Sequence, residues 1–231
     1  ILAGGFGTRL QGVIGKDIPK PMAPVSGRPF LEYLLAYLNK AGVSRIILAS
    51  GFKHEVIENH FGNSFMGMAI KHSVEKSPLG TGGAVKQAIK FAEGTNVLVV
   101  NGDTFFDVNL HKLENFFRSN EADVCIALRK VGDVSRYGKV EIDLKNRILG
   151  FQEKGAASGM GFINGGTYII SRKAFMKLDL PEVFSLEKDY FEKYYTKQQM
   201  FGVRCFSYFL DIGIPEDYEE AQHAFEGLII E

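Results

Sequence analysis

The apolar run Ile1-Leu2-Ala3 gives way to Gly4, Gly5 and Gly7 within four positions. The run reads as the end of a buried strand. The glycines then carry the chain into a loop whose backbone N–H groups can approach a ligand closely. Thr8 adds a hydroxyl, Arg9 a rigid guanidinium fork, and Lys20 a point charge held between Pro19 and Pro21. A strand end, a glycine loop and two cations describe a cradle for phosphate groups. A tight turn with a solvated arginine is the plainer reading of the loop taken alone. A dinucleotide fingerprint fits poorly, because Gly5-Phe6-Gly7-Thr8-Arg9-Leu10 closes on leucine where a third glycine belongs. A Walker loop fits no better, since no Gly-Lys-Ser/Thr closes the segment.

The rest of the first half alternates between strand and helix patterns. Phe30 to Leu38 has the apolar density of a buried helix ending near Gly42, and Arg45 to Ser50 is a short apolar strand. Lys53 to Phe61 predicts a second helix, Ala69 to Val74 a strand and Thr81 to Phe91 a helix. The run Val97-Leu98-Val99-Val100 then reads as the most buried strand of all. This alternation predicts an α/β fold with a doubly wound, mostly parallel sheet and helices on both faces. Such sheets bind ligands at the carboxyl ends of their strands, where both Gly4-Gly5 and Gly102-Asp103 fall.

From Ala122 the pattern becomes β-rich. Val124 to Leu128, Lys139 to Ile142, Ile148 to Phe151 and Gly166 to Ile170 are strand-like, with short helices over Arg172 to Met176 and Leu186 to Tyr194. Met200 to Arg204 and Phe206 to Phe209 read as a late hairpin, and Pro215 opens a last helix. A smaller β-rich extension of the same sheet is expected, within one domain over 1–231 whose halves meet near residue 121.

Charge excludes some partners. Lys and Arg number 27 against 27 Asp and Glu, so no global field favours nucleic acid or an anionic membrane. No apolar run reaches the length of a membrane span, and no signal peptide is visible. The chain opens inside an apparent strand, so further residues are expected upstream. Cys125 and Cys205 stand alone in apolar runs, which predicts buried reduced thiols and a cytoplasmic location. The five histidines are scattered without zinc-ligand spacing.

Asp103 and Asp211 each close an apolar run. Either alone is an ordinary turn former, but magnesium takes only one or two carboxylates and completes its shell with water and phosphates. Asp107 reads as a helix-approach residue, since Asn109 is placed to cap the next helix. In the second glycine-rich stretch, Pro78-Leu79-Gly80-Thr81-Gly82-Gly83, Thr81 is expected to cap a helix.

The string Gly4-Gly5-x-Gly7-Thr8-Arg9-Leu10 with Pro19-Lys20-Pro21 resembles the opening of the sugar-1-phosphate nucleotidyltransferases. Asn101-Gly102-Asp103 and Leu210-Asp211-Ile212-Gly213-Ile214-Pro215-Glu216 match that family's two metal-binding segments, and the resemblance covers essentially the whole chain. It implies a Rossmann-like sheet of nucleotidyltransferase type, with a nucleotide-binding half (about 1–121) and a sugar-phosphate-binding half (about 122–231). It places the nucleotide on Leu2, Ala3, Gly4, Gly5, Gly7, Thr8, Arg9, Lys20, Glu75, Gly80, Thr81 and Asp103. Sugar phosphate falls to Tyr137, Gly138, Glu153, Lys154 and Asn164, and Mg2+ to Asp103 and Asp211. One departure stands out: proline often follows the Glu153-Lys154 pair in the family, and here it is Gly155.

Within the family, Arg28 to Leu35, Pro78 to Gly83 and Ser135-Arg136-Tyr137-Gly138 are most similar to the D-glycero-α-D-manno-heptose 1-phosphate guanylyltransferases. The implied reaction joins GTP and heptose 1-phosphate into GDP-heptose and pyrophosphate for surface polysaccharide. Arg9, Lys20, Asp103 and Asp211 would carry it by positioning and charge neutralisation. A carboxylate at Glu75 can accept from two adjacent donors on guanine, or from the single N3–H of uracil or thymine. Other readings are a mannose-1-phosphate guanylyltransferase, a uridylyl- or thymidylyltransferase, and a nucleotide-sugar sensor without catalysis. The expected partners are a nucleoside triphosphate and a sugar 1-phosphate, and a homo-oligomer is compatible with the apolar Leu228-Ile229-Ile230.

Overall fold

In the first half the apolar runs become parallel strands. The computed structural model describes residues 1–152 and 155–228, so Ile229 and Ile230 lie outside the described residues. Strand β1 (Leu2–Ala3) leads through the short helix α1 (Gln11–Ile14) and the ribbon of β2 (Pro24–Val25) and β3 (Arg28–Pro29) into helix α2 (Phe30–Lys40). Then come β4 (Arg45–Ser50), α3 (His54–Phe61), β5 (Ser64–Phe65), β6 (Met68–Val74), α4 (Gly80–Ala88) and β7 (Asn96–Val100). β1 pairs parallel with β4, and β4 with β6, while the short β5 folds back antiparallel on β6.

The second half supplies β8 (Thr104–Phe106), α5 (Leu110–Ser119), β9 (Val124–Val131), β10 (Lys139–Ile142), β11 (Ile148–Gln152) and β12 (Gly161–Ser171). It closes with α6 (Arg172–Met176), a π-helical turn over Leu186–Phe191 running into α7 (Glu192–Tyr194), β13 (Met200–Cys205), β14 (Phe209–Asp211) and α8 (Pro215–Ala224). Asn109 caps α5 by accepting from the Lys112 N–H, and Pro215 occupies the first turn of α8, both as the sequence predicts.

A parallel bridge between Leu2 and Asn101 joins the two large sheets into the order β5-β6-β4-β1-β7-β12-β9-β13. β12 runs antiparallel to both β7 and β9, and β13 runs parallel to β9. Six strands therefore share one direction and only β5 and β12 oppose it, which makes the sheet mostly parallel. Both faces are covered. Along β9 the side chains alternate: Val124, Ile126 and Leu128 join α4 and the segment around Phe184 and Leu186, whereas Cys125 and Ala127 face Leu113 and Phe117 of α5. In the first half, Ile46 and Leu48 of β4 pack against Leu34 and Leu38 of α2 and Ile57 of α3.

Two expectations about the strands fail. The most buried strand is β9, where Val124 to Leu128 are fully buried, and not β7. Val97 and Leu98 instead line a cavity of about 600 Å³ beside Ile47 and Ile70, because β1 is only two residues long between β4 and β7. The late hairpin does not form either. β13 lies parallel on β9 and β14 antiparallel on β8, so each apolar run is paired with a distant strand rather than with its neighbour. Cys125 is buried as expected and Cys205 only half-buried; both carry free thiols, and burial pushes them up to about 12 and about 11. No helix among the described residues is long and apolar enough to cross a membrane.

Candidate active site

The glycine loop leaves β1 at its carboxyl end. Gly7 takes a left-handed conformation (φ +59°), and a Cβ there would lie 2.9 Å from Cβ of Lys20. Only glycine meets both demands. Around the loop, Gly5, Gly7, Thr8, Arg9, Lys20 and Asp103 line a pocket of about 190 Å³. Thr8 and Arg9 are exposed, and the Arg9 guanidinium makes no hydrogen bond or ion pair among the described residues. A fork of five donors therefore faces solvent beside the cradle.

Lys20 is buried and spent on carboxylates: its Nζ lies 2.6 Å from Oδ2 of Asp103 and 3.5 Å from Oδ1 of Asp211. Strand pairing brings the two aspartates together. β8 and β14 set Thr104 opposite Asp211, and the Ile212 N–H donates to the Asp103 carbonyl at 3.0 Å. Burial raises the Asp211 carboxyl above its usual range; the Asp103 charge adds to this and Lys20 opposes it. Oδ1 of Asp211 is buried without a hydrogen bond, its approach to Lys20 being within ion-pair range only. Two carboxylates thus share one ammonium and leave an unsatisfied oxygen, a donor set that suits a hard divalent cation. The described residues contain no group of three or more His, Cys, Asp or Glu that could hold a metal, so further ligands would have to come from water or substrate.

Glu75 crosses the loop from the far side. Its backbone N–H donates to the Ser50 carbonyl at 2.8 Å, and its Oε2 accepts from the Leu79 N–H at 2.9 Å. The other oxygen lies over Gly4, where an added Cβ would meet it at 2.4 Å. Burial raises the Glu75 carboxyl, and the Leu79 hydrogen bond partly offsets this.

Thr81 does not cap α4. Leu79 holds the cap position without a side-chain bond, and the Gly82 and Gly83 N–H groups donate to the Phe184 carbonyl. A carbonyl from the second half has replaced the hydroxyl. Thr81 Oγ1 instead accepts from the Leu186 N–H at 2.9 Å and donates to Oε2 of Glu187 at 2.8 Å. Gly80 (φ +71°) belongs to the same contact, because a Cβ there would lie 2.5 Å from the Phe184 carbonyl oxygen.

Among the residues expected to bind sugar phosphate, Gly138 has φ +82°, and both Tyr137 and Gly138 donate backbone N–H bonds to the Val134 carbonyl. The Tyr137 ring meets Phe209 edge-on at 6.3 Å, and the Arg136 guanidinium lies 5.2 Å from its centre. Arg136 is held in turn by Asp217 at 2.7 Å, which ties this loop to the first turn of α8. The register of β12 against β9 shifts between Asn164 and Tyr168, a bulge that re-aims side chains. Asn164 Nδ2 donates to the Tyr168 hydroxyl at 2.9 Å, and its Oδ1 accepts from Gly166. Glu153 and Lys154 lie outside the described residues.

Sequence reasoning missed Tyr168, Arg136 with Asp217, and Glu187. Tyr168 looked like one more apolar position in a strand. Arg136 stands in a segment that carries the family resemblance, but nothing in the sequence marks Asp217 as its partner. Glu187 sits in Glu187-Lys188-Asp189, which reads as a solvated helix start.

A family model described as nucleotidyl transferase matches residues 1–227. The D-glycero-α-D-manno-heptose 1-phosphate guanylyltransferase of Aneurinibacillus thermoaerophilus is 44% identical, over 99% of this chain and 98% of the relative. The enzyme of the same description from Campylobacter jejuni is 45% identical, over 94% and 95%. The crystal structure of HddC from Yersinia pseudotuberculosis complexed with GMP-PN superimposes with a TM-score of 0.85 at 40% identity, covering 97% of each chain.

Proposed function

Because the chain belongs to the nucleotidyl transferase family, we propose that it transfers GMP from GTP to D-glycero-α-D-manno-heptose 1-phosphate, releasing pyrophosphate. The observation that carries this reading is the convergence of Lys20, Asp103 and Asp211 beside the glycine loop, with Arg9 open next to them. Similarity to guanylyltransferases from two bacteria supports the choice of guanine and heptose.

The acceptor phosphate is already an anion, so the step needs neither a protein nucleophile nor a strong base. One of its oxygens attacks the α-phosphorus, a P–O bond forms there, and the α–β P–O bond breaks with its electron pair leaving on pyrophosphate. What the residues contribute is position and charge. Loop N–H groups and the Arg9 fork hold the β- and γ-phosphates and stabilise the leaving group. Lys20 lines the same pocket as the loop and would draw charge from the α-phosphate once a cation takes its place on the aspartates. Asp103 and Asp211 would hold Mg2+, which supplies Lewis-acid stabilisation of the phosphoryl oxygens when bound. Glu75 offers Oε1 to the base edge, and Tyr137, Gly138, Glu153, Lys154 and Asn164 hold the sugar phosphate. The product is an activated heptose for surface polysaccharide, made in the cytoplasm where GTP is found.

Pyrophosphate release across a matrix of GTP, ATP, UTP and dTTP against heptose, mannose and glucose 1-phosphates tests the reading. GTP with heptose 1-phosphate should give the highest kcat/KM. A higher value for another pair, or no release with any, overturns it.

A further inference from the structure

Resting on that reading, we propose that Lys20 is a built-in stand-in for the metal, so that metal and nucleotide each release it for the other. Its Nζ lies 2.6 Å from Oδ2 of Asp103 and 3.5 Å from Oδ1 of Asp211, within ion-pair reach of both carboxylates that the pairing of β8 and β14 brings together. It serves them unequally, because Oδ1 of Asp211 stays buried without a hydrogen bond. A single positive charge thus balances two carboxylates and leaves one oxygen unsatisfied. A hard divalent cation brings twice the charge and takes both carboxylates as ligands.

Lys20 is placed to move without disturbing the chain. Its backbone is pinned in a tight turn: the Met22 N–H donates to the Pro19 carbonyl at 2.8 Å, the Ala23 N–H donates to the Lys20 carbonyl at 3.0 Å, and Pro21 stiffens the turn. The stem runs beside the glycine loop, since a Cβ added at Gly7 would lie 2.9, 3.6 and 3.7 Å from its Cβ, Cγ and Cδ. Lys20, Asp103 and the loop line one pocket, so rotation about the outer side-chain bonds re-aims Nζ inside it. One ammonium cannot serve both the carboxylates and an α-phosphate. Without metal, the aspartates hold it back from the nucleotide; without nucleotide, it stands in the way of the metal. Each ligand therefore raises the affinity for the other by the same factor, beyond their direct attraction.

Binding of Mn2+ alone, followed by electron paramagnetic resonance, tests the exchange without turnover. Lys20→Met keeps most of the stem and removes the charge, and it should bind Mn2+ roughly ten- to a hundredfold more tightly than wild type. Mn2+ should also raise the Tm of Lys20→Met more than that of wild type, because the metal replaces the missing ammonium. Adding Asp211→Asn to that variant should remove both gains. A second measurement needs no variant to fold. In wild type, acylation of Lys20, read by mass spectrometry, should speed up with Mg2+ and slow again when GTP follows. Equal Mn2+ affinity or an equal Tm gain in wild type and Lys20→Met overturns the proposal. So do gains that survive Asp211→Asn, and labelling that Mg2+ does not speed up or GTP does not slow. Failure of the parent reading looks different: the exchange would be seen, yet no pairing of nucleotide and sugar 1-phosphate would release pyrophosphate.

Discussion

The two glycine-rich stretches look alike as sequence and behave as opposites in the fold. At Gly5 an added Cβ would meet no atom within 4 Å, and the loop around it borders an open pocket. At Gly82 an added Cβ would lie 2.1 Å from the Phe184 ring, and at Gly83 2.2 Å from the Glu182 carbonyl oxygen. In the first stretch Gly4 and Gly7 admit Glu75 and Lys20, but at Gly5 the missing side chain leaves room for a ligand. In the second, the protein itself has moved in, and the helix N–H groups that could have met a phosphate are satisfied by Phe184. Glycine therefore marks a close approach without saying what approaches.

The largest effect should come from the charges beside the open stretch. Asp103→Asn and Asp211→Asn should each cut kcat roughly a thousandfold, since several kcal/mol of charge stabilisation are lost. Stability should move the other way for Asp211. Its folded-state pKa is raised, so the folded state holds the proton more tightly and stability falls as pH rises through that interval. Asp211→Asn should thus unfold at a higher temperature than wild type at pH 7, with the advantage fading as pH falls below the carboxylate range. A lower Tm at pH 7 would mean that the Lys20 ion pair outweighs burial, and the open stretch would be a structural element after all.

Next is the filled stretch. Gly82→Ala should cost about 1–3 kcal/mol by overpacking against Phe184, read as a fall in Tm. Gly5→Ala should change stability by less than about 0.5 kcal/mol while raising KM for the nucleotide. Equal Tm changes in the two variants would erase the contrast.

The last contrast concerns the residue that touches both stretches. Glu75 lies over Gly4 through Oε1 and is fixed at Leu79 through Oε2. Glu75→Gln should narrow the preference for GTP over ATP about tenfold, because an amide can donate to the bare N1 of adenine. Competition kinetics with the two nucleotides measures it. A full GTP preference in the variant would move base reading elsewhere.

How far the sequence could be read followed the range of the forces involved. Strand ends, the Asn109 cap and the Pro215 helix start depend on a few neighbouring residues, and all were readable. So was the approach of Asp103 to the glycine loop, through the rule that ligands gather at strand ends, whereas Asp211 was added by the family resemblance. Pairing between distant segments was not. The apolar runs at Met200 and Phe206 carry no mark of their partners β9 and β8, so proximity in sequence suggested a hairpin. Thr81 had the chemistry of a cap, yet its hydroxyl was claimed by Glu187, more than a hundred positions away. Local propensity cannot foresee such a competitor.

The pairing of β14 with β8 also bears on synthesis. A ribosome makes the glycine loop and Asp103 early, but Asp211 emerges only after β9, β12 and β13. Closing so long a loop is slow, and the contacts that reward it come late. A nascent chain can therefore form much of its sheet while still lacking one of the two carboxylates. The half-made chain has the glycine loop and Lys20 but not yet the pair of carboxylates that share that ammonium.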